Sequence, residues 1–210
     1  MDKSRRSFIK KSVIGITGLT TAGMGAGFSS CSGRAVMKFG LVTYQWGKDW
    51  DLPALISNCE KTGLEAVELR AEHAHGVETS LSMAQREEVK KMFRNSKETC
   101  VGYGSNFEYH SPDSEELRWN IEQTKEYVKL CKDIGATGLK VKPNTLPPEV
   151  PKEKTISQIA ASLNEVGKFA RSYGQIIRVE AHGRYTAELP NMRAIFDQVT
   201  DKNVKICWNS

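Results

Sequence analysis

The sequence predicts an α/β fold: a parallel (β/α) barrel of the TIM type that is incomplete, with about six of its eight βα units. Three observations predict it. Strand-like apolar runs alternate with helical periodicity from Met37 onward, and helix, glycine and strand recur in that order. The six strands also occupy about 180 residues, whereas a complete barrel has eight strands and about 250. The chain stops at Ser210, directly after a strand, so we expect two further units to be missing; a complete open sheet is the alternative.

Short apolar runs, several of them alternating, predict the six strands. They cover residues 37–44, 66–69, 100–104, 139–141, 176–179 and 204–208. Three segments (CEKTGLEAVELR, CKDIGATGLKVK and RSYGQIIRVE) each run from a helix through a glycine into a strand. Strands joined by crossover helices are expected to be parallel.

Capping residues and periodic apolar positions predict five helices between these strands. Asp51 begins the first helix and Gly63 ends it, and Ser82 with Gln85 forms a capping box for the second. Asp113 begins the third helix, whose apolar stripe continues to Cys131. The last two helices are indicated by apolar positions over residues 156–173 and 192–199.

Residues 1–31 are predicted to be a signal peptide that precedes a domain over residues 32–210. Arg5 and Arg6 with Phe8 resemble the twin-arginine export motif, and residues 13–28 form an uncharged, weakly apolar run. Residues 28–31 resemble a lipobox in which Cys31 would be lipidated. We therefore expect a periplasmic or cell-envelope lipoprotein that meets the membrane only through this anchor; a frayed basic N-terminus is the alternative.

Charge and cysteine content narrow the function classes. The chain carries 30 basic and 25 acidic side chains, and five of the basic and one of the acidic ones lie in residues 1–31. Because the remainder is nearly neutral, net charge gives no support to nucleic-acid binding. The cysteines beyond Cys31 have neither metal-like spacing nor a C-x-x-C pair, which favours small buried hydrophobic residues over a metal site or a disulfide.

Polar side chains follow the ends of successive predicted strands, where ligands bind in both candidate architectures. All four histidines lie just after strands two, three and five. Lys140 and Lys142 alternate with apolar neighbours, so both face the same side of their strand. Glu68 and Glu180 end apolar runs, where a buried carboxylate needs a cation, a metal or sugar hydroxyls as a partner. A structural salt bridge or a solvated edge strand is the alternative explanation for these charges.

The chain resembles the xylose isomerase-like TIM barrels, a group of sugar (phosphate) isomerases and epimerases. The segments GLEAVELR, GATGLKVK and VEAHGR carry the resemblance, which extends over residues 37–210. It implies a metal-assisted proton transfer next to the carbonyl of a free or oxidised sugar, with a divalent ion (Mn²⁺, Mg²⁺, Co²⁺ or Zn²⁺) as cofactor. Glu180 is the implied metal ligand and proton-transfer base, and Asn209 stands where the family has an aspartate ligand.

The remaining predicted site residues surround Glu180. Lys142 is the second candidate catalytic residue, and the candidate substrate-binding residues are Glu68, Arg70, His75, Asn106, Lys140, His182 and Arg184. Asn209 is a neutral ligand where a carboxylate is expected, which should weaken metal binding. The family's other ligands come from strands seven and eight, so we expect this chain alone to be inactive.

Two further functions are compatible with the sequence. One is a sugar-binding barrel lipoprotein without metal catalysis, which the neutral Asn209 favours. The other is an endonuclease-like barrel that acts on damaged DNA, which the near-neutral charge and the predicted export disfavour. The sequence indicates a small-molecule sugar as partner and leaves the oligomeric state undetermined.

Overall fold

Six parallel strands form one sheet in residues 38–208, the part of the chain that this computed structural model describes. Each strand pairs with its neighbour in sequence, so the order along the sheet is the order along the chain. The strands are β1 (Gly40–Val42), β2 (Ala66–Arg70), β3 (Thr99–Glu108), β4 (Gly138–Lys142), β5 (Ile176–Glu180) and β6 (Val204–Cys207). This sequential order is that of a TIM-barrel-like fold with an open sheet, since a doubly wound sheet reverses its strand order.

Five helices connect the strands, and their ends follow the predicted caps. They are α1 (Leu52–Thr62), α2 (Met83–Asn95), α3 (Ser114–Ile134), α4 (Lys152–Ser172) and α5 (Leu189–Phe196). The Asp51 side chain accepts from the amide of Ala54 at the start of α1, and Gly63 ends this helix in the left-handed conformation. The capping box of Ser82 and Gln85 is also formed. These helix limits are therefore set by local chemistry.

The hydrophobic core lies between the sheet and the helices. In β2, Val67 and Leu69 are fully buried, and the same alternation continues in β4 and β5. The residues between them, such as Glu68, point to the opposite side of the sheet, which we call the inner face. The apolar face thus stabilises the fold, and the inner face is left to polar side chains.

β1 and β3 differ most in length from their predictions. β1 covers only Gly40–Val42, whereas β3 extends to Glu108, four residues past the predicted end. The extension contains Ser105 and Asn106, polar residues that an apolar pattern does not register as strand. A register shift between Val67 and Glu68 on β2 accompanies the pairing of β2 with β3.

Several predictions fall outside the described residues. The twin-arginine segment, the lipobox with Cys31, and Asn209 all lie there. Within residues 38–208, no helix has the length and apolar character needed to cross a membrane. Cys59, Cys100 and Cys131 are buried free thiols, and Cys207 at the end of β6 is half-buried.

Candidate active site

One lysine holds two carboxylates on the inner face of the sheet. The Nζ atom of Lys140 lies 2.7 Å from Oε1 of Glu68 and 3.4 Å from Oε2 of Glu180. Burial opposes the charge on Lys140, but its contacts with Glu68 and then Glu180 outweigh burial and raise its pKa above the ordinary value. Lys140 is therefore a permanent cation, and it fixes the positions of both carboxylates.

A second group of polar side chains lies nearer the carboxyl ends of the strands. Oδ1 of Asn106 accepts hydrogen bonds from Nη2 of Arg70, at 2.8 Å, and from Nζ of Lys142, at 3.0 Å. The backbone N–H of Arg70 donates to the hydroxyl of Thr43, and the guanidinium carbon lies 4.9 Å from the centre of the Tyr44 ring. Arg70 is thus held from three sides.

Lys142 differs from Lys140 in its electrostatic surroundings. Burial and the nearby charge of Arg70 lower the pKa of Lys142 below its ordinary value, while Glu180 and Glu108 act in the opposite direction. Its one hydrogen-bond partner among residues 38–208 is the neutral oxygen of Asn106. The two lysines of β4 therefore have different environments, although they lie on the same face of the strand.

These groups surround a cavity of about 590 Å³. Its volume is within the usual range for sites that bind small molecules. The residues lining it come from all strands between β1 and β5 and from the segments that follow them: Val42, Tyr44, Arg70, Asn106, Lys140, Lys142, Glu180 and His182. Glu68 is not one of these lining residues, but it contacts Lys140, which is.

Gly104 provides the space in which the charged side chains meet. A Cβ atom at this position would lie 3.0 Å from Oε1 of Glu68 and 3.2 Å from Cγ of Arg70. Any larger residue would therefore displace the carboxylate that Lys140 binds. Glycine within a strand commonly marks such a close approach.

His75, a predicted substrate-binding residue, is not brought to this cavity. The ring is buried, and its Nε2 lies 2.7 Å from the carbonyl oxygen of Arg70. Nδ1 accepts a hydrogen bond from the amide of Val77, so Nε2 carries the proton that is donated to Arg70. With both ring nitrogens bound to the backbone, His75 shapes the loop after β2 and has no nitrogen left for a substrate.

Arg184 is also placed away from the lining of the cavity. Its side chain is exposed, and the guanidinium carbon lies 4.9 Å from the centre of the Tyr185 ring. His182, two residues earlier, does line the cavity. The strand-five motif therefore contributes Glu180 and His182 to the site, while Arg184 points elsewhere.

Three residues of the site were not among the sequence-predicted ones. Thr43 and Tyr44 position Arg70, and Gly104 leaves room for Glu68. The polar end of β1 and the Gly-x-Gly pattern of residues 102–104 are the sequence signals that point to them. Neither signal identifies a partner, because the partners lie on other strands.

The described residues do not by themselves form a divalent-metal site. Residues 38–208 contain no group of three or more histidine, cysteine, aspartate or glutamate side chains that could hold a metal ion. Of the two predicted ligands, Glu180 already contacts the ammonium of Lys140, and Asn209 lies outside the described part.

Comparison with known families places the chain among the xylose isomerase-like TIM barrels. A family model described as xylose isomerase-like TIM barrel matches residues 56–210. No curated protein sequence is similar enough to match.

Solved structures share the fold at low sequence identity. The IOLI protein with a bound zinc atom has a TM-score of 0.69 and 19% identity, over 81% of this chain and 62% of that one. The 3-keto-D-glucoside 4-epimerase YcjR from E. coli has a TM-score of 0.67 and 16% identity, over 82% of this chain and 68% of that one. D-psicose 3-epimerase from Clostridium cellulolyticum H10, with D-tagatose, has a TM-score of 0.68 and 20% identity, over 82% of this chain and 63% of that one. The chain thus spans about two thirds of the length of these structures.

Proposed function

Because the chain belongs to the xylose isomerase-like TIM barrel family, we propose that its cavity serves the isomerisation or epimerisation of a small sugar. The observation that carries this proposal is the position of Glu180. Its carboxylate lines a cavity of about 590 Å³ and is held there by Lys140. A fixed carboxylate can remove a proton from the carbon next to a carbonyl and return it to the neighbouring carbon or to the other face.

Each neighbour of Glu180 has a separate role in this reaction. Lys140 orients the carboxylate of Glu180 through the contact between its ammonium and Oε2. Lys142 and Arg70 bind oxygen atoms of the substrate, because both line the cavity and have N–H groups that do not donate to Asn106. Asn106 and His182 bind hydroxyl groups of the sugar.

The divalent metal that the family resemblance implies stays a prediction. A bound divalent ion would supply Lewis-acid polarisation of the sugar carbonyl. Glu180 is the implied ligand that the structure describes, and its contact with Lys140 competes with a metal for the same carboxylate.

Hydrogen exchange at carbon tests the proposed reaction even when the product sugar is unidentified. The full-length protein, including any residues beyond Ser210, is incubated in D₂O with a panel of free ketoses and aldoses. Mass spectrometry is then used to measure deuterium incorporation at carbon. We expect incorporation into at least one sugar, and a loss of about 10²–10⁴-fold in Glu180→Gln, the usual contribution of a general base.

Glu126→Gln is the matched control for this substitution. Glu126 lies on the outer helix α3 and pairs only with Lys129 there. The Glu126→Gln variant should incorporate deuterium into the sugar as fast as the wild-type protein does. Unchanged exchange in Glu180→Gln would contradict the role of Glu180.

A sugar-binding barrel without catalysis is the second candidate. The observation that favours it is the ion pair of Lys140 with Glu180. A carboxylate that is paired with an ammonium can bind hydroxyl groups without acting as a base. Calorimetry with sugars in the presence of a chelator separates the two functions. Undiminished binding, combined with no deuterium incorporation, would favour the binding protein.

We further propose that the protein is exported by the twin-arginine route and anchored at Cys31. Arg5 and Arg6 support export, and the segment that ends at Cys31 supports lipidation. Replacing both arginines with lysine should retain the protein in the cytoplasm. Replacing Cys31 with alanine should release the exported protein from the membrane fraction.

A further inference from the structure

We propose that the substrate of this cavity carries an anionic group, a carboxylate or a phosphate, which binds between Arg70 and Lys142. This inference rests on the proposed function and specifies its substrate class. The charged groups on the inner face of the sheet lie in two layers: two carboxylates with one lysine, and two further cations nearer the strand ends.

The deeper layer holds one cation and two carboxylates. Lys140 contacts both Glu68 and Glu180, so the two carboxylates share one ammonium. The layer nearer the strand ends has two cations, Arg70 and Lys142. Within residues 38–208, neither of these cations has a carboxylate oxygen within the 4.0 Å of an ion pair.

The two cations meet at a single neutral atom instead. Nη2 of Arg70 and Nζ of Lys142 both donate to Oδ1 of Asn106. Two cations close together repel each other, which contributes to the lowered pKa of Lys142 after the larger effect of burial. Such an arrangement is stabilised when an anion enters between them.

Arg70 and Lys142 have donors available for this anion. Nε of Arg70 is buried and has no hydrogen-bond partner in the described part of the chain. The ammonium of Lys142 has three N–H groups, of which one donates to Asn106. Because both cations reach the same oxygen of Asn106, they are close enough for the oxygens of one carboxylate or phosphate to contact both.

The position of the anion also suits the proposed reaction. Arg70, Lys142 and Glu180 line the same cavity of about 590 Å³. A sugar whose acidic group lies between the two cations would extend from there towards the carboxylate of Glu180. The anionic group would therefore fix which carbon of the sugar meets the base.

Calorimetry with four probes tests this inference on the full-length protein at low salt. The probes are D-glucose, D-glucuronate, D-glucose 6-phosphate and inorganic phosphate. We expect one of the two anionic sugars to bind at least about tenfold more tightly than glucose, the effect of one charge-assisted hydrogen bond or more. Preference for glucuronate identifies a carboxylate, and preference for the 6-phosphate identifies a phosphate.

Matched variants show whether the two cations cause this preference. Lys142→Gln and Arg70→Gln should each reduce it about tenfold. Lys142→Arg, which retains the charge, should preserve most of the preference, and Lys129→Gln, on the outer surface of α3, should leave it unchanged. Circular dichroism of each variant confirms that it is folded.

The possible outcomes separate this inference from the proposed function. Equal binding of neutral and anionic sugars, unaffected by the variants, would overturn the anion site while leaving a sugar site. Binding of inorganic phosphate that requires Arg70 and Lys142, without binding of any sugar, would support the anion site and contradict the proposed function. Absence of binding by all four probes would overturn both.

Discussion

The two lysines of β4 show how strongly the environment of one residue determines its contribution. Lys140 contacts the carboxylates of the half-buried Glu68 and the buried Glu180, whereas Lys142 donates only to a neutral amide among residues 38–208. Removing the charge of Lys140 leaves uncompensated negative charge on the inner face. Removing the charge of Lys142 relieves its repulsion with Arg70. The same substitution should therefore affect stability very differently at positions two residues apart.

We expect Lys140→Met to lower the free energy of unfolding by about 3–5 kcal/mol, because it leaves the half-buried Glu68 and the buried Glu180 without their shared cation. Lys142→Met is the matched control and should change it by less than about 1 kcal/mol. Urea denaturation followed by circular dichroism measures both values. Similar losses in the two variants would show that Lys140 is not a structural cation.

His75 makes stability depend on pH. Burial lowers its pKa below the ordinary value of 6.5, although its hydrogen bond to Arg70 and the charge of Glu78 act in the opposite direction. The unfolded chain therefore takes up the proton first as the pH falls. The contribution of His75 is fully present above about pH 6.5 and should decrease below it.

The measurement is the free energy of unfolding between pH 7 and pH 5. His75→Asn should show a smaller decrease over this range than the wild-type protein. His182→Asn, at an exposed histidine, should follow the wild-type curve. An equal decrease in all three proteins would assign the pH dependence to other groups.

At the scale of single residues, the sequence identified the charged groups better than their partners. Glu68, Lys140 and Glu180 were predicted from strand ends, where charge has to be compensated. His75 was predicted to bind substrate, but its sequence position could not show that both ring nitrogens bond to nearby backbone atoms. Gly104 was missed because its role depends on side chains from β2 and β4.

At the scale of elements, the loops after β4 and β5 approach each other closely at Gly183 and Asn144. Gly183 adopts a positive φ of 97°, and a Cβ atom there would overlap the backbone carbonyl of Asn144. Asn144 in turn donates to Glu108 at the end of β3. Three consecutive strand ends are thus joined beside the cavity.

Gly183→Ala should therefore cost more than conformational strain alone. We expect a loss of more than about 2 kcal/mol, from the left-handed backbone and from the overlap with Asn144. Gly174→Ala is the matched control, since Gly174 also has positive φ but nothing lies within 4 Å of its Cβ position. It should cost about 1 kcal/mol.

Thermal or urea unfolding of the two glycine variants decides between these effects. If both lose the same stability, the contact between the two loops has no energetic role.

Helix limits were more predictable than strand limits. Asp51, Gly63 and the Ser82–Gln85 box act on their immediate neighbours, so sequence suffices to recognise them. The length of β3 depends on its pairing with β2 and β4, which no local pattern contains. This difference explains why the predicted strand ended four residues early.

At the scale of the whole molecule, the alternation of apolar and polar strand residues separates folding from chemistry. Buried residues such as Val67 and Leu139 face the helices, and the charged residues face the inside of the curved sheet. The fold class could be predicted because this alternation and the βα repeat are both visible in sequence. The geometry of the cavity could not, because it depends on how six separate strands align.

The charge of the whole molecule leads to a prediction about nucleic acid. Residues 32–210 carry nearly equal numbers of basic and acidic side chains, so they lack the surplus that phosphate backbones attract. We expect no complex between the protein with residues 1–31 removed and duplex DNA containing an abasic site, in a gel-shift assay at about 50 mM salt. A tight complex that weakens steeply with salt would revive the endonuclease-like alternative.

The contact between Gly183 and Asn144 also limits how such a protein can diversify. Insertions in either loop would normally be a simple way to reshape the entrance for a new sugar. Here the two loops touch through main-chain atoms, so a change in the length of one requires an accommodating change in the other. Relatives with altered specificity should therefore vary in both loops together, or in the segment after β1, which this contact leaves unconstrained.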